Sequence, residues 1–468
     1  MKIFLNMTIL VICLLLTTMF TSACGGSGKP NPPDNSTLYY LLAQQNNNQE
    51  QNNQQEENNN NQNNQEEENN NEEEPANNTE VTLTLTDSLN ADKIASADIF
   101  YSVEDNTKSS DDDKEISKAT PNADDKTKFV ITVNGTATNT KIKAILTYDS
   151  EGNLLDYFSS YEGIEATNGT FDIDFENKNG DFAKGTGTDT DPYIISQPRH
   201  FANINKQDED GSYLYLDKNF TQEKDLDFSH LTGLKVVKAE KDKDITIETT
   251  NEKAPFFNNG KGMTSIGKMN PEADYFSNID DEATRNYAKY FFKGNYDGQN
   301  HTIDGLTFVN AGEPIIGEGI SIDISVFLGI YKGSLKNITI GENSIFFIDN
   351  VENPEETFLN IVGISGVVFW STVENCTNNA KVVVKNIQCY RLFITGIACD
   401  AYESNYKNCT NNGNITIDNV ESDNIYIEQS IYTDDDSTII ESCNYTGVIT
   451  VDGEQIEGET YQNQNYEE

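Results

Sequence analysis

The sequence has few basic residues for its number of acidic ones, and very few histidines and tryptophans. It contains 32 Lys and Arg against 77 Asp and Glu, a formal net charge of −45, with three histidines and one tryptophan among 468 residues. Such a charge repels nucleic acid and anionic lipid headgroups, so neither is predicted as a partner. A solvated acidic surface is the simplest interpretation of the charge, and adventitious cation binding is the alternative.

The scarcity of histidine argues against the common zinc sites. His200, His230 and His301 lie far apart, and no His-Glu-x-x-His pattern occurs. Because zinc peptidases of that class need both histidines on one helix face, the sequence predicts no metallopeptidase, no metal site and no cofactor. His301 follows an Asp-Gly turn motif and is expected to make a structural hydrogen bond. His200 is expected to lie in a short segment that caps the N-terminal end of the fold.

Long apolar runs are also absent. The run from Ile9 to Phe20 is too short to span a bilayer comfortably, and together with Lys2 it is typical of a secretory signal. The following Thr21-Ser-Ala-Cys24 resembles the lipobox of bacterial lipoproteins, which has Leu at the position of Thr21. The resemblance implies that residues 1–23 are a signal peptide and that acylated Cys24 anchors the protein to a membrane of the bacterial cell envelope, exposed at the surface. An ordinary signal peptide with an incidental cysteine is the alternative.

Two regions of different composition follow the signal. Residues 24–79 consist mainly of Asn, Gln and Glu with very few apolar side chains, so they predict a disordered tether. Residues 80–178 alternate apolar and polar residues in short segments between turns, which predicts a small immunoglobulin-like β-sandwich. The acidic run from Ser109 to Glu115 is interpreted as a solvated loop. The predicted strands are Glu80–Thr86, Ala97–Val103, Lys128–Val133, Lys141–Tyr148, Leu155–Ser160 and Thr170–Phe175.

Three copies of one pattern organise the C-terminal half of the chain. They centre on Cys376, Cys409 and Cys443, which lie 33 and 34 residues apart. An alternating triplet begins six residues after each cysteine, with aliphatic outer positions in every copy. A fixed period with several short strands and no helical pattern predicts a parallel β-helix in which each copy forms one coil. The triplets are Val382–Val384, Ile415–Ile417 and Ile449–Val451.

The alternation also predicts which side chains point inward. Side chains along a strand alternate between its two faces, so Ile417 is expected in the interior and the neighbouring Thr416 at the surface. The three repeated cysteines are expected to form a ladder of small buried thiols. A disulfide between Cys389 and Cys399 remains an alternative, because an exported protein can form one.

Further motifs precede and overlap these copies. One is the turn Asp297-Gly298 within Phe292–Ile303, and another is Gly363-Ile-Ser-Gly366, which has a second copy beginning at Gly396. Together these motifs resemble the GLUG-type β-helix repeat of bacterial surface proteins, adhesins and the non-catalytic part of IgA-specific metallopeptidases.

This resemblance implies an all-β chain whose main domain is a right-handed parallel β-helix over residues 179–455. The β-sandwich and the disordered tether precede it, and residues 456–468 are expected to be a disordered tail. The residues that the resemblance assigns to the structural repeat are Asp297, Gly298, Gly363, Gly366 and Gly396.

The resemblance implies a non-catalytic role at the cell surface, either adhesion or the binding of an extracellular glycan or protein. Exposed aromatic residues would provide the binding face, whereas the register of the repeat places Tyr406 in the core. The other aromatic candidates are Phe182, Tyr193, Trp370, Tyr402, Tyr426 and Tyr432.

A carbohydrate-active enzyme is the competing hypothesis, because parallel β-helices also include polysaccharide lyases and glycoside hydrolases. Such enzymes need clustered carboxylates as acid and base or as calcium ligands. The candidates are Asp280-Asp281, Asp297 and Asp434–Asp436, and Arg391 is the only arginine after Arg285. Arg391 has no acidic neighbour in sequence, so the sequence favours a binding protein. A structural envelope protein without a ligand is the third hypothesis.

Overall fold

Strands dominate the chain in this computed structural model. The structure describes residues 78–104, 115–177, 180–238, 241–270, 285–310, 313–317, 319–350, 357–399, 401–428, 431–433, 436–456 and 460–464. The predicted signal peptide, the predicted anchor Cys24 and almost all of the predicted tether lie outside these residues. So do four of the candidate carboxylates: Asp280, Asp281, Asp434 and Asp435.

Helices are short in the described part of the chain. The α-helix α1 covers Pro198–Ala202, residues 285–287 are also α-helical, and the 3-10 turns are Ala91–Lys93, Asn203–Asn205, Asp242–Asp244, Asn258–Gly260 and Ala288–Tyr290. Among the described residues, no helix has both the length and the apolar character that a membrane span requires.

A two-sheet sandwich forms the first part of the described chain. Its strands are β1 (Thr79–Thr86), β2 (Ser96–Val103), β3 (Glu115–Ala119), β4 (Lys128–Val133), β5 (Thr140–Tyr148), β6 (Leu154–Glu165) and β7 (Thr170–Asp174). One sheet has the order β4–β1–β7 and the other β3–β2–β5–β6. Alternation buries one face of each sheet, and Leu83, Ile131, Ile145 and Phe171 share one core. The sequence reading missed β3, which directly follows the acidic run.

The second part of the chain is built from many short strands. They are β8 (Tyr193–Ile195), β9 (Phe220–Gln222), β10 (Leu226–Asp227), β11 (Leu234–Val237), β12 (Thr246–Thr249), β13 (Asn295–Asp297), β14 (Thr302–Asp304), β15 (Thr307–Val309), β16 (Glu313–Gly317), β17 (Gly319–Ile324), β18 (Phe327–Tyr331), β19 (Ser334–Lys336), β20 (Thr339–Ile340) and β21 (Ile345–Asp349). They continue with β22 (Thr357–Val362), β23 (Ser365–Phe369), β24 (Thr372–Glu374), β25 (Thr377–Asn378), β26 (Lys381–Thr395), β27 (Ala401–Tyr402), β28 (Asn405–Lys407), β29 (Thr410–Asn411), β30 (Ile415–Glu428), β31 (Ile439–Glu441), β32 (Asn444–Tyr445), β33 (Ile449–Val451), β34 (Glu454–Ile456) and β35 (Thr460–Gln464).

These strands wind into a parallel β-solenoid. One sheet of the solenoid contains, side by side, β8, β9, β13, β19, β24, β28 and β31. A second sheet contains β10, β14, β20, β25, β29 and β32. Neighbours within each of these sheets are parallel, and each comes from a successive coil. The predicted all-β fold with a parallel β-helix is therefore confirmed.

Stacked apolar side chains fill the interior of the solenoid. In the first sheet Tyr296, Leu335, Val373 and Tyr406 occupy the same register in successive coils, and none is more than 1% exposed. Burying each such side chain contributes about 1.5–3 kcal/mol before the cost of ordering it. The column places Tyr406 in the core, as the repeat register predicted.

The sandwich and the solenoid belong to one unit, Pro75–Glu468. The hydroxyl of Ser159 in β6 donates to the backbone oxygen of Asp227 in β10 at 2.7 Å. Arg199 in α1 contacts the carboxylate of Asp156 at 3.5 Å, and both side chains are buried. Phe201 in the same helix packs against Tyr296 and other rings of the solenoid interior. Helix α1 therefore lies between the two parts and covers the first coil.

The predicted surface position of Thr416 is wrong. Thr416 is only 4% exposed, and Val383, which pairs with it in the previous coil, is 1% exposed. The antiparallel pair β11 and β12, here called the outer hairpin (residues 234–249), covers this outer face and packs Ile245 against Val383. Lys385 reinforces the contact by donating to the backbone oxygen of Ile245 at 2.8 Å. A covered sheet needs no polar face, which is why Val383 is aliphatic.

The tail predicted to be disordered also contains structure. Strand β35, Thr460–Gln464, pairs antiparallel with the C-terminal half of β30, and β34 pairs antiparallel with β33. The last coil of a solenoid leaves unpaired backbone groups along its edge, and these two strands satisfy part of that edge. The composition of the tail alone did not reveal this.

Candidate binding site

Left-handed turns align in columns along the solenoid. Asn337, Asn375 and Asn408 have φ angles of 53°, 54° and 53°, a region that asparagine tolerates better than most residues. The side-chain amide of Asn375 donates to Asn337 at 3.0 Å, and that of Asn408 donates to Asn375 at 3.0 Å. Asp297 begins the column by accepting from Asn337 at 2.8 Å. Asp297 therefore has a structural role in the turn, together with its hydrogen bond from the Gln299 backbone.

The repeated glycines lie where neighbouring coils approach each other closely. A Cβ on Gly298 would lie 2.4 Å from the backbone oxygen of Asn337, and one on Gly366 would lie 2.5 Å from that of Leu328. A Cβ on Gly363 would lie 2.1 Å from the backbone oxygen of Gly396. These approaches leave no room for a side chain, so the motif glycines serve the packing of coils rather than chemistry.

The three repeated cysteines lie in one column of the interior. Cys376 and Cys409 are fully buried, whereas Cys443 in the last coil is half-buried. A hydrogen bond with Cys376, together with burial, raises the pKa of the Cys409 thiol to about 12. Thiols held protonated in this way are poor nucleophiles and poor metal ligands. The column is a packing feature of the core.

The alternative disulfide is not formed in this structure. Cys389 packs inside the solenoid, whereas Cys399 packs with Val362 and Phe393 in a separate cluster on the outer surface. No disulfide joins the two cysteines.

The aromatic candidates separate into three places besides the buried Tyr406. Phe182 and Tyr193 stack on each other at the first coil, with ring centroids 4.3 Å apart. Tyr426 and Tyr432 lie against Phe393 on the outer face of β26 and β30, at 6.0 and 4.7 Å. Trp370 and Tyr402 meet at a corner of the solenoid, with ring centroids 5.6 Å apart and an interplanar angle of 84°. The predicted aromatic surface is therefore not continuous.

The corner around Trp370 combines aromatic rings with charges, and we call it the aromatic ridge (Tyr331, Lys332, Trp370, Tyr402 and Glu403). The rings of Tyr331 and Trp370 are 5.8 Å apart at 87°. The Lys332 ammonium lies 5.0 Å from the Tyr331 ring centroid and 5.2 Å from the Trp370 ring centroid. The indole nitrogen of Trp370 donates to the Glu403 carboxylate at 3.0 Å. The ridge lies on a separate cluster of buried apolar residues that includes Phe291 and Phe369.

Successive coils generate the ridge. Tyr331, Phe369 and Tyr402 occupy the same register at the ends of β18, β23 and β27. The next residue of each coil is left-handed, with φ of 56° at Lys332, 47° at Trp370 and 44° at Glu403. A left-handed bulky side chain is unusual and costs on the order of 1–3 kcal/mol, a cost that is concentrated at functional sites. The fold therefore keeps its single tryptophan half-buried at the surface under backbone strain.

The remaining chemical candidates have structural surroundings. His200 is fully buried and accepts from the Ser196 backbone through Nδ1 at 3.2 Å, and burial lowers the pKa of His200 to about 3. His301 contacts the Asp225 carboxylate at 3.1 Å, and His230 packs on Phe100 of the sandwich at 4.9 Å. None of these three histidines lies beside another.

The candidate residues of a carbohydrate-active enzyme are not assembled among the described residues. Arg391 lies over the rings of Phe393 and Tyr426, 5.1 Å from each centroid, whereas Asp297 begins the asparagine column of another sheet. Within the described part of the chain, no group of three or more His, Cys, Asp or Glu side chains is placed to hold a metal ion.

Sequence reasoning identified Trp370 and Tyr402 but missed Tyr331, Lys332 and Glu403. Trp370 and Tyr331 are 39 positions apart, and the spacing to Tyr402 is 32, so no constant period links the three rings. The sequence signal for the ridge is a repeated dipeptide that begins with an aromatic residue and is followed within two residues by serine. Its copies are Tyr331-Lys332, Phe369-Trp370 and Tyr402-Glu403.

The similarity of this chain to known proteins is weak. No family model matches the sequence, and no curated protein matches it. One solved structure that matches is described as a "putative immunoglobulin A1 protease from Bacteroides ovatus". It is 15% identical, with a TM-score of 0.26, and the match covers 60% of this chain and 83% of the other. At that score the similarity carries no argument about activity.

Proposed function

We propose that this protein is an exported bacterial lipoprotein whose β-solenoid binds an extracellular glycan or protein at the cell surface without catalysing a reaction. The lipobox-like sequence ending in Cys24 supports the anchor, and the Asn, Gln and Glu-rich residues 24–79 support a spacer between membrane and folded chain. The close-packed glycines at Gly363 and Gly366 support a GLUG-type repeat.

The placement of Trp370 is the observation that carries the binding proposal. A tryptophan ring packed wholly in the interior would have no surface left for a ligand. Trp370 instead lies half-buried in a strained turn, between Tyr331 and Tyr402 and beside two charged groups. Rigid aromatic rings with a few polar groups at their edge are typical of recognition surfaces. Arg391, the basic candidate for a lyase, is stacked on two rings elsewhere, which supports a non-catalytic role.

Glycan and extracellular-matrix arrays test this function with the mature protein and two variants. Trp370→Asn removes the ring but keeps a residue that tolerates the left-handed turn. Tyr426→Asn, the control, removes a ring from the cluster on β30. We expect at least one array ligand to bind the wild type and the control, with at least about tenfold weaker binding to Trp370→Asn, because aromatic anchors often contribute 1.4 kcal/mol or more. If no ligand depends on Trp370 while both variants keep the wild-type melting temperature, the binding proposal is wrong.

A further inference from the structure

We infer that the aromatic ridge binds an ammonium group, and that its ligand is a glycan containing amino sugars without their acetyl groups. This inference rests on the proposed binding function of the ridge and specifies its ligand. It follows from what the rings of the ridge already contact, from the charge of the chain and from the arrangement of the rings along the solenoid.

The first observation is that a cation already occupies the ring faces. An aromatic ring attracts a cation that lies within roughly 6 Å of its centroid. The Lys332 ammonium lies within this distance of both the Tyr331 and the Trp370 ring. Two rings that face one ammonium, with a third ring and the Glu403 carboxylate beside them, have the composition of an aromatic cage. Lys332 is exposed, so its ammonium can leave the rings for water when a ligand competes.

The preceding coil repeats this chemistry. The Tyr290 ring has the ammonium of Lys289 at 4.9 Å and that of Lys268 at 5.4 Å from its centroid. The next residue, Phe291, packs against Phe369 beneath the ridge, so Tyr290 belongs to the same side of the solenoid. Binding of ammonium groups to aromatic faces is therefore a recurring property of this side of the solenoid.

Electrostatics favours a cationic ligand over an anionic one. The formal net charge of −45 attracts cations to the protein and repels acidic glycans, and at the ridge itself the ammonium of a ligand would take the place of the Lys332 ammonium beside Glu403. A neutral glycan would gain only the ring contacts. An amino sugar gains both the ring contacts and the attraction of its ammonium to the rings and to Glu403.

The arrangement of the rings favours a linear polymer. Tyr331, Trp370 and Tyr402 come from successive coils, which are about 4.8 Å apart in a parallel sheet. Trp370 and Tyr402 are the partly exposed rings of this row along the solenoid axis, whereas Tyr331 is only 6% exposed and has the Lys332 ammonium over it. A chain of amino sugars presents flat faces and ammonium groups at regular intervals, so that neighbouring units can contact neighbouring rings. A single small cation such as choline would use only one part of the row.

Because Trp370 is the only tryptophan in the sequence, its fluorescence reports directly on the ridge. The mature full-length protein is titrated with glucosamine oligosaccharides and, as a matched pair, with N-acetylglucosamine oligosaccharides of the same length. We expect the glucosamine oligosaccharides to change the fluorescence and to bind at least about tenfold more tightly than the acetylated ones, with affinity that falls as salt is added.

Lys332→Gln provides the sharper test, because it removes the ammonium that competes for the rings. It should strengthen binding of the glucosamine oligosaccharides by about two- to fivefold, the range for one exposed cation–ring contact. Lys336→Gln makes the same charge change on the following strand, away from the rings, and should leave the affinity nearly unchanged.

Three results would overturn the inference. Equal binding of the acetylated and unacetylated oligosaccharides would do so, although the proposed binding function would stand. Weaker binding after Lys332→Gln would show that Lys332 contacts the ligand directly. A lysine-rich peptide that binds while the glucosamine oligosaccharides do not would assign the ridge to a protein partner. The proposed function itself fails only if no array ligand depends on Trp370.

Discussion

Asn378 donates its side-chain amide to the side-chain oxygen of Asn411 in the next coil, over 2.9 Å, and both residues are only 1% exposed. The same amide donates to the backbone oxygen of Gly396 at 3.0 Å. A Cβ on Gly363 would lie 2.4 Å from this amide nitrogen. The glycine motif and the buried asparagines are therefore one arrangement, in which the missing side chains make room for a polar contact inside an apolar core.

Asn411→Ala tests the value of that contact. Asn411 also accepts from the Gly413 backbone at 3.3 Å, so the substitution leaves buried polar groups without their partner. We expect it to lower the free energy of unfolding by about 1–3 kcal/mol. Asn412→Ala is the matched control, because the adjacent Asn412 makes the same kind of contact, to Asn379 at 2.8 Å, but on the exposed surface. Urea denaturation should show a loss of at most about 1 kcal/mol for the control. Equal losses would contradict the role of burial.

Ile417→Asp and Thr416→Asp test the two faces of one strand. Ile417 points into the core, so its replacement by a carboxylate should open the coil or force the carboxylate to remain protonated. Thr416 is buried on the outer face of β30, the strand that contacts the turn Asp242–Asp244, so a carboxylate there would also lose its hydration. We expect both variants to melt at lower temperature, with Thr416→Asp losing more than about 1 kcal/mol, beyond the usual range of a surface change.

Limited proteolysis distinguishes displacement of the outer hairpin from opening of the solenoid core. Thr416→Asp should expose the outer hairpin to cleavage first, whereas Ile417→Asp should loosen the coils around β30. Thr450→Asp, at the same register in the partly exposed last coil, should be the mildest of the three. A wild-type melting temperature for Thr416→Asp would mean that the outer hairpin does not cover this face.

His200 makes stability depend on pH. Burial, together with the neighbouring Arg199 charge, lowers the pKa of His200 to about 3, whereas an unfolded histidine titrates near 6.5. Between these values the unfolded chain binds the extra proton, so stability is full above about pH 6.5 and falls as the pH decreases, by up to about 1.4 kcal/mol per pH unit. The free energy of unfolding measured from about pH 7 to pH 4 should fall less steeply in His200→Gln. Parallel curves would show that His200 is not held neutral in the folded protein.

Cys24→Ala tests the lipid anchor. Because an acylated cysteine is the proposed attachment, the variant should leave the detergent phase on phase partition, or accumulate unprocessed. Cys13→Ala, within the predicted signal peptide, should behave like the wild type. A cleaved Cys24→Ala protein that still partitions into detergent would contradict the lipoprotein proposal.

Local pattern was enough to predict the coils of the solenoid and their interior. The period of 33 and 34 residues and the aliphatic outer positions of each triplet placed Val384, Ile417 and Val451 in one register, which the structure has. This was possible because alternation along a strand and stacking between adjacent coils involve residues at regular, short separations.

The sequence by itself therefore determined an all-β chain with a repeated parallel coil, but only the tertiary structure decided what covers that coil and what it displays. Thr416 is buried because the outer hairpin, far earlier in the chain, folds over it, and no periodic signal encodes that contact. The aromatic ridge depends on Tyr331, Trp370 and Tyr402 reaching one corner despite unequal spacing in sequence. Loops of different length between coils change the spacing of these residues in the sequence but not their register in the sheet. Sequence spacing therefore does not reveal that the three rings meet.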